Sequence, residues 1–146
     1  MSTLAINKRA KFDYEFLETF EGGLVLTGAE VKSAKQGHVQ LKGAFVTIKN
    51  QELWLRSAHI TAYKPAGAKI DYDPTRERKI LVRRREAVRL IGKAKERGLT
   101  LIPIRLYTKG NLVKIEFALA RGKRQYEKRE AIKKREIDKK IREFRF

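Results

Sequence analysis

Apolar residues before position 121 come in short runs closed by turn signals, and beyond it they thin to a narrow stripe on a highly charged segment. Tyr14 and Phe16 follow Phe12 in alternation with other residues, and Leu24-Val25-Leu26 resumes past Gly22-Gly23, so residues 12–26 read as extended chain. Paired glycines inside such a run point to a bulge or sharp bend, because glycine adopts the required backbone angles cheaply. Thr27 stands where it can cap a short helix over residues 28–35, which Gly37 ends. Residues 44–48 and 52–56 are β-like, and Asn50-Gln51 between them suits a tight hairpin because Asn tolerates positive φ. A short strand is expected over 59–63, a loop over 65–74, and a further short strand at 79–82. Ala87, Leu90, Ile91 and Ala94 recur at helical spacing, predicting a helix over 84–97 with Gly98 as its stop. Strands at 100–107 and 112–120 flank a turn at Lys109-Gly110-Asn111, and Pro103 assigns the first of them an edge or a bulge.

Five to seven short strands, mostly joined by hairpins, with one or two inserted helices make a mainly β body. Their order and number match a small antiparallel closed barrel of the oligonucleotide-binding type. Other small barrels and α+β sheets share the pattern. With 146 residues one domain is expected, large enough for a core without metal or disulfide staples. The division read here is a folded body over 1–120 and a basic tail over 121–146.

The charge is uneven. Of a net +18, residues 76–97 carry ten basic against three acidic side chains, and residues 121–146 carry twelve against five. Each block is +7, a self-repulsion that a polyanion relieves, which makes nucleic acid the expected partner. Charge alone does not choose between RNA and DNA. Membrane-surface helices oppose their cations with a broad apolar face that this tail lacks, and no apolar run nears the roughly 20 residues of a membrane helix. With no cysteine and no signal-like stretch in residues 1–11, the expectation is a soluble cytoplasmic protein, free of disulfides and thiolate metal sites.

The tail holds strong helix formers and three acid-before-base pairs at i,i+4: Glu130 with Lys134, Glu136 with Lys140, and Asp138 with Arg142. Each pair adds only about 0.2 to 0.5 kcal/mol, too little to hold a helix carrying this charge. Two readings stand side by side: a solvated terminus, or a segment that folds when phosphates neutralise it.

Chemistry that would mark an enzyme is not visible. His38 and His59 lack metal-ligand neighbours at fixed spacing, and no P-loop, dinucleotide fingerprint or nucleophile elbow occurs. No cofactor or metal is expected. Basic residues mixed with apolar or aromatic ones recur at Asn7-Lys8-Arg9, at residues 76–85 and at 121–129, the composition of an RNA contact surface.

Five stretches sharpen this. They are Ile6-Asn7-Lys8-Arg9-Ala10 with Tyr14; Gly28-Ala29-Glu30-Val31-Lys32-Ser33; Asp73-Pro74-Thr75-Arg76-Glu77-Arg78-Lys79-Ile80-Leu81; Lys95-Glu96-Arg97-Gly98-Leu99-Thr100; and Gly122-Lys123 with Lys128-Arg129. In order and spacing the chain resembles the SsrA-binding protein family, also called small protein B, over nearly its whole length. The resemblance implies an oligonucleotide-binding-type barrel that binds the tRNA-like end of transfer-messenger RNA and brings it to stalled ribosomes, acting as a monomeric adaptor rather than an enzyme. It implies an RNA-facing surface with Asn7, Tyr14, Glu21 and Leu81, to which Arg78 and Lys79 add charge, with Lys8, Arg9 and Arg76 in the same basic stretches. Core packing is the competing role for Leu81. The Glu30-Val31-Lys32-Ser33 stretch is compatible with a structural role in helix packing.

The resemblance also implies a tail that is disordered when free and helical in the vacant decoding site and message channel of the small subunit. Lys123, Lys128 and Arg129 would meet ribosomal RNA phosphates and Tyr126 would stack on a base, with Arg124, Lys133 and Lys134 in the same basic run. Glu127 stands where the family usually has Asp, and Ala29 where Thr is common. The rival reading is a ribosomal or general RNA-binding barrel protein without transfer-messenger RNA specificity.

Overall fold

A computed structural model describes residues 1–63, 71–96 and 98–123; the tail expectations from residue 124 onward, and residues 65–70 of the expected loop, lie outside the described residues. Among the described residues nine strands and three helices follow one another as β1 (Ser2–Ile6), α1 (Ala10–Asp13), β2 (Tyr14–Leu24), α2 (Gly28–Lys35), β3 (Val39–Gln40), β4 (Phe45–Lys49), β5 (Glu52–Arg56), β6 (His59–Ile60), β7 (Arg78–Leu81), α3 (Arg84–Ala94), β8 (Leu99–Lys109) and β9 (Leu112–Gly122). The chain is mainly β, as its period-2 segments require.

Seven strands form one sheet in the order β1-β8-β4-β5-β7-β2-β9, and β9 pairs back onto β8, so the sheet is ring-like. All its pairings are antiparallel. Strand β8 makes the closure possible through its length: one edge carries β9 from Leu99 to Lys109, while the other carries β4 at Leu101 and β1 from Arg105 to Thr108. The ladder slips between Pro103 and Arg105, the bulge that Pro103 foretells because it has no N–H to donate. Short β3 and β6 pair separately.

The ring encloses the main core. Leu53 and Leu55 on β5, Ile80 on β7, and Ile115 and Phe117 on β9 are buried there, with the less buried Trp54, Lys79 and Glu116 alternating between or beside them. Phe117 lies stacked on Phe20 of β2 with ring centroids 5.7 Å apart. Burying a side chain of that size contributes about 2 to 3 kcal/mol. Leu90 of α3 is also part of this core. A second small cluster joins Ala10 of α1 to Ile102 and Ala120, with Tyr14 and Phe16 against it. It explains the continuous apolar run Ala118-Leu119-Ala120 before the exposed end of β9: both faces are covered there.

Several expectations need correction. Phe12 belongs to α1, and β2 begins at Tyr14. The bulge of β2 lies between Phe16 and Glu18, not at Gly22-Gly23. Glycine at position 22 answers a close approach instead: a Cβ there would stand 2.7 Å from Ile80 Cγ2 and 3.0 Å from the Leu81 carbonyl oxygen. At this point β2 passes from β9 to β7, since Gly23 pairs with both Lys114 and Leu81. Strands β1 and β3 were not expected. Helix α3 stops at Ala94 rather than residue 97, while α2 covers the expected span and the Asn50-Gln51 turn has both residues at positive φ, 51° and 61°. None of the described helices is long and apolar enough to cross a membrane.

Candidate nucleic-acid interface

Much of the basic block at 76–97 faces its own protein. Thr27 and Glu30 form a reciprocal cap at the start of α2: the Glu30 N–H donates to Thr27 Oγ1 at 3.2 Å, and the Thr27 N–H donates to Glu30 Oε1 at 2.9 Å. The same carboxylate accepts the Arg78 Nε–H at 2.8 Å and the Arg76 Nε–H at 3.1 Å, and Arg76 Nη2 also bonds its Oε1. The remaining Arg78 donors reach the Ala58 carbonyl at 2.8 Å, the Pro74 carbonyl at 2.9 Å and the Tyr72 hydroxyl at 3.2 Å. Arg78 is 0% exposed. Burial pushes the Glu30 carboxyl up, but the Arg76 contact, the capping N–H and Arg78 outweigh it and bring its pKa down to about 2.

Arg78 is therefore corrected from an RNA contact to an interior counter-ion, because its guanidinium is enclosed and saturated. Arg76 is half-buried on the same acid. Lys79 projects outward but meets Glu52 at 3.1 Å. Further along the block, Arg89 and Lys93 both pair with Glu18. Two of the five recognisable stretches, the one around Glu30 and the one around Arg76 to Arg78, thus meet in one buried network.

The expected contact residues left open form two groups. Glu21 and Leu81 line one hollow of about 490 Å³, with Val82, Arg83, Glu86 and Lys114 around them. Leu81 is 52% exposed while its neighbour Ile80 is 2%, so the alternation of β7 turns Leu81 outward, against the core role. The Tyr107 hydroxyl first, then Lys109, Lys114 and Arg105, hold the Glu21 carboxyl below its usual range. Tyr107 is buried, and desolvation together with Glu21 raises its own pKa to about 12. Glu21 is an ionised, accessible acceptor beside an apolar surface.

The second hollow, about 410 Å³, includes Asn7, Arg9, Asp13, Tyr14, Phe45 and Thr100 among its lining. Asn7 is fixed by its Nδ2 donating to the Pro103 carbonyl at 2.9 Å, a partner the β8 bulge presents. Arg9 reaches Asp13 at 3.4 Å and lies 4.8 Å from the Phe12 ring centre. Lys8 is exposed. The two hollows share no lining residue. Lys123 is tied to the body through its N–H, which donates to the Asp13 carbonyl at 2.9 Å. Arg124, Tyr126, Lys128, Arg129, Lys133 and Lys134 lie outside the described residues.

Sequence reading held Arg83 only within the basic block at 76–85 and overlooked Glu86 and Lys114. Lys114 is brought beside Glu21 by the β2–β9 register, which no local pattern encodes. Among the described residues no group of three His, Cys, Asp or Glu could hold a metal ion. What the first hollow offers is recognition chemistry: an acceptor for an amine or hydroxyl, an apolar face and cations at the edge.

The model of the family described as SmpB protein matches residues 4–145. The chain belongs to the SmpB family. An SsrA-binding protein of Sulfurihydrogenibium sp. (strain YO3AOP1) is 50% identical over 138 residues, covering 94% of this chain and 90% of the relative. One from Persephonella marina is 48% identical over 141 residues, covering 97% and 92%. A solved chain described under "tmRNA-SmpB: a journey to the center of the bacterial ribosome" is similar with a TM-score of 0.68 and 41% identity, over 87% of this chain and 92% of that one. The matched range, residues 4–145, takes in the lining of both hollows and the Glu30 network.

Proposed function

We propose that this chain is the RNA-binding adaptor of trans-translation, holding the tRNA-like domain of transfer-messenger RNA and delivering it to stalled ribosomes. The observation that carries the reading is the close likeness, in sequence and fold, to an SmpB chain described with tmRNA and the ribosome. The open Glu21–Leu81 hollow supports it, because an ionised acceptor beside an apolar face suits a nucleotide's amine or 2′-hydroxyl and its ring or sugar better than it suits phosphate. The ring-like sheet serves in this reading as a closed barrel of the oligonucleotide-binding type, and residues 1–120 as the RNA-holding unit.

Asn7, Lys8, Arg9 and Tyr14 belong to the RNA-facing surface, and Lys79 adds charge near Leu81. Residues 121–146 form the ribosome-directed segment, with Lys123, Arg124, Lys128, Arg129, Lys133 and Lys134 toward phosphates of the decoding site and Tyr126 against a base. The protein works in the cytoplasm and turns over no substrate. Competitive binding of the full chain to transfer-messenger RNA against bulk tRNA, near physiological salt, tests this. A preference of about tenfold or more, some 1.4 kcal/mol, is expected. Equal affinities that collapse together with added salt would leave a general basic RNA-binding protein.

A further inference from the structure

With Arg78 enclosed, Arg76 on Glu30 and Lys79 shared with Glu52, most of the charge this block offers to a partner lies further along it. Arg83, Arg84 and Arg85 are consecutive and exposed, and none makes an ion pair among the described residues. Three adjacent cations at the start of α3 also sit at the positive end of the helix dipole, an arrangement that is unfavourable until an anion joins it. Their positions differ in a telling way. Arg83 lines the hollow that holds Glu21 and Leu81. Arg84 lines two smaller hollows, one of which shares Leu81 and Lys79 with it. Arg85 lines none of these three.

The exposed Leu81 is thus flanked by Arg83 in one hollow and Arg84 in the other. The lining of the first hollow sets two carboxylates, Glu21 and Glu86, against two cations, Arg83 and Lys114, so phosphate is disfavoured beside the acids and favoured at Arg83. A nucleotide seated there directs its base or sugar inward and leaves its phosphates at the arginine rim. We propose that Arg83 and Arg84 clamp the sugar-phosphate backbone of the RNA strand whose nucleotide engages Glu21 and Leu81. The clamp rests on the RNA-binding reading above and adds to it the residues that supply affinity. Arginine suits the task because its planar fork bonds phosphate oxygens in pairs. Contacts of this kind set position and affinity without reading sequence.

The test uses the full chain and the isolated tRNA-like RNA, with affinity measured across a salt series for wild type, Arg83→Gln, Arg84→Gln, Arg85→Gln and the Arg83→Gln/Arg84→Gln double variant. Each phosphate contact removed lowers the salt slope by roughly 0.7 to 0.9, so the double variant is expected to lose about 1.4 to 1.8 and to bind about tenfold or more weakly. Its preference for transfer-messenger RNA over bulk tRNA stays at the wild-type value, and Arg85→Gln stays near the wild-type slope. All three sites are exposed, so unchanged thermal melting confirms that each variant is folded. Equal effects from all three single variants would show a diffuse field and overturn the clamp. An unaltered slope in the double variant, beside an intact wild-type preference for transfer-messenger RNA, overturns the clamp alone. A wild-type chain that shows no such preference removes the adaptor reading, whatever the variant slopes are.

Discussion

Arg78 and Glu30 stand 48 positions apart and meet in the interior, with the Arg78 Nε donating to Glu30 Oε2 at 2.8 Å and both side chains almost wholly excluded from water. Glu30 also caps α2 and holds Arg76, so one carboxylate joins the helix to the segment leading into β7. Removing it strands two guanidinium groups, one of them fully buried. Glu30→Gln is expected to cost about 3 to 5 kcal/mol, since a buried charge losing its partner is far costlier than an exposed one. Thermal or urea denaturation followed by circular dichroism measures this. A loss below about 1 kcal/mol would mean that the network contributes little to stability.

The same carboxyl predicts an acid limb. Its folded pKa of about 2 lies below the 4.5 of a free glutamate side chain, so the unfolded state binds more protons between those two values. The stabilisation is complete above about pH 4.5 and is lost as pH falls toward 2. Its size is on the order of 3 kcal/mol. Denaturant midpoints taken from pH 6 down to 2 should fall more steeply for wild type than for Glu30→Gln. Parallel curves for the two proteins would place the acid sensitivity in other groups.

Local patterns disclosed what local physics determines. Helix α2 was legible through Thr27 and Gly37, and the β4–β5 hairpin through Asn50. The outward turn of Leu81 was open to either role, because the run Ile80-Leu81-Val82 is apolar throughout and only the β5–β7–β2 pairing selects the buried face. Strand β1 escaped because it is half exposed and pairs with residues about a hundred positions away. Arg76 and Arg78 were read as surface charge for a related reason: a run of cations carries no mark of which ones a distant Glu30 will take inside.

Gly22 offers a test of the strand exchange. In Gly22→Ala the new Cβ would press on Ile80 and on the Leu81 carbonyl, and backbone cannot yield as a flexible side chain can. A destabilisation of about 1 to 3 kcal/mol is expected, as for overpacked sites generally. Denaturation measures the loss, and RNA binding well below the melting point should also weaken because Leu81 is displaced. Wild-type stability in this variant would show that the approach relaxes freely.

Glu21 separates recognition from folding. Its side chain is about half exposed, and Lys109 is 3.9 Å away. The buried Tyr107 hydroxyl loses a partner at a cost of about 1 to 2 kcal/mol, so Glu21→Ala should keep a cooperative melt at somewhat lower stability. Affinity for the tRNA-like RNA should drop by about tenfold, as for a lost hydrogen bond to a charged group, and the preference over bulk tRNA should narrow. Retained affinity and preference would assign Glu21 to the surface alone.

The boundary of the tail follows from β9. Gly122 still pairs with Tyr14, and the Lys123 N–H donates to the Asp13 carbonyl, so a cut at residue 121 would damage the body it is meant to spare. Truncation after Lys123 removes residues 124–146 and keeps both contacts. The shortened chain is expected to melt as wild type and to hold the tRNA-like RNA within a few-fold of its affinity, while tagging of peptides on stalled ribosomes falls to background. Some affinity is lost in any case, because the removed segment is cationic and attracts RNA over distance. Full tagging by the truncated chain would remove the decoding-site role proposed for the tail. Complete loss of RNA binding from a chain that still melts cooperatively would instead show that the body does not hold the RNA by itself.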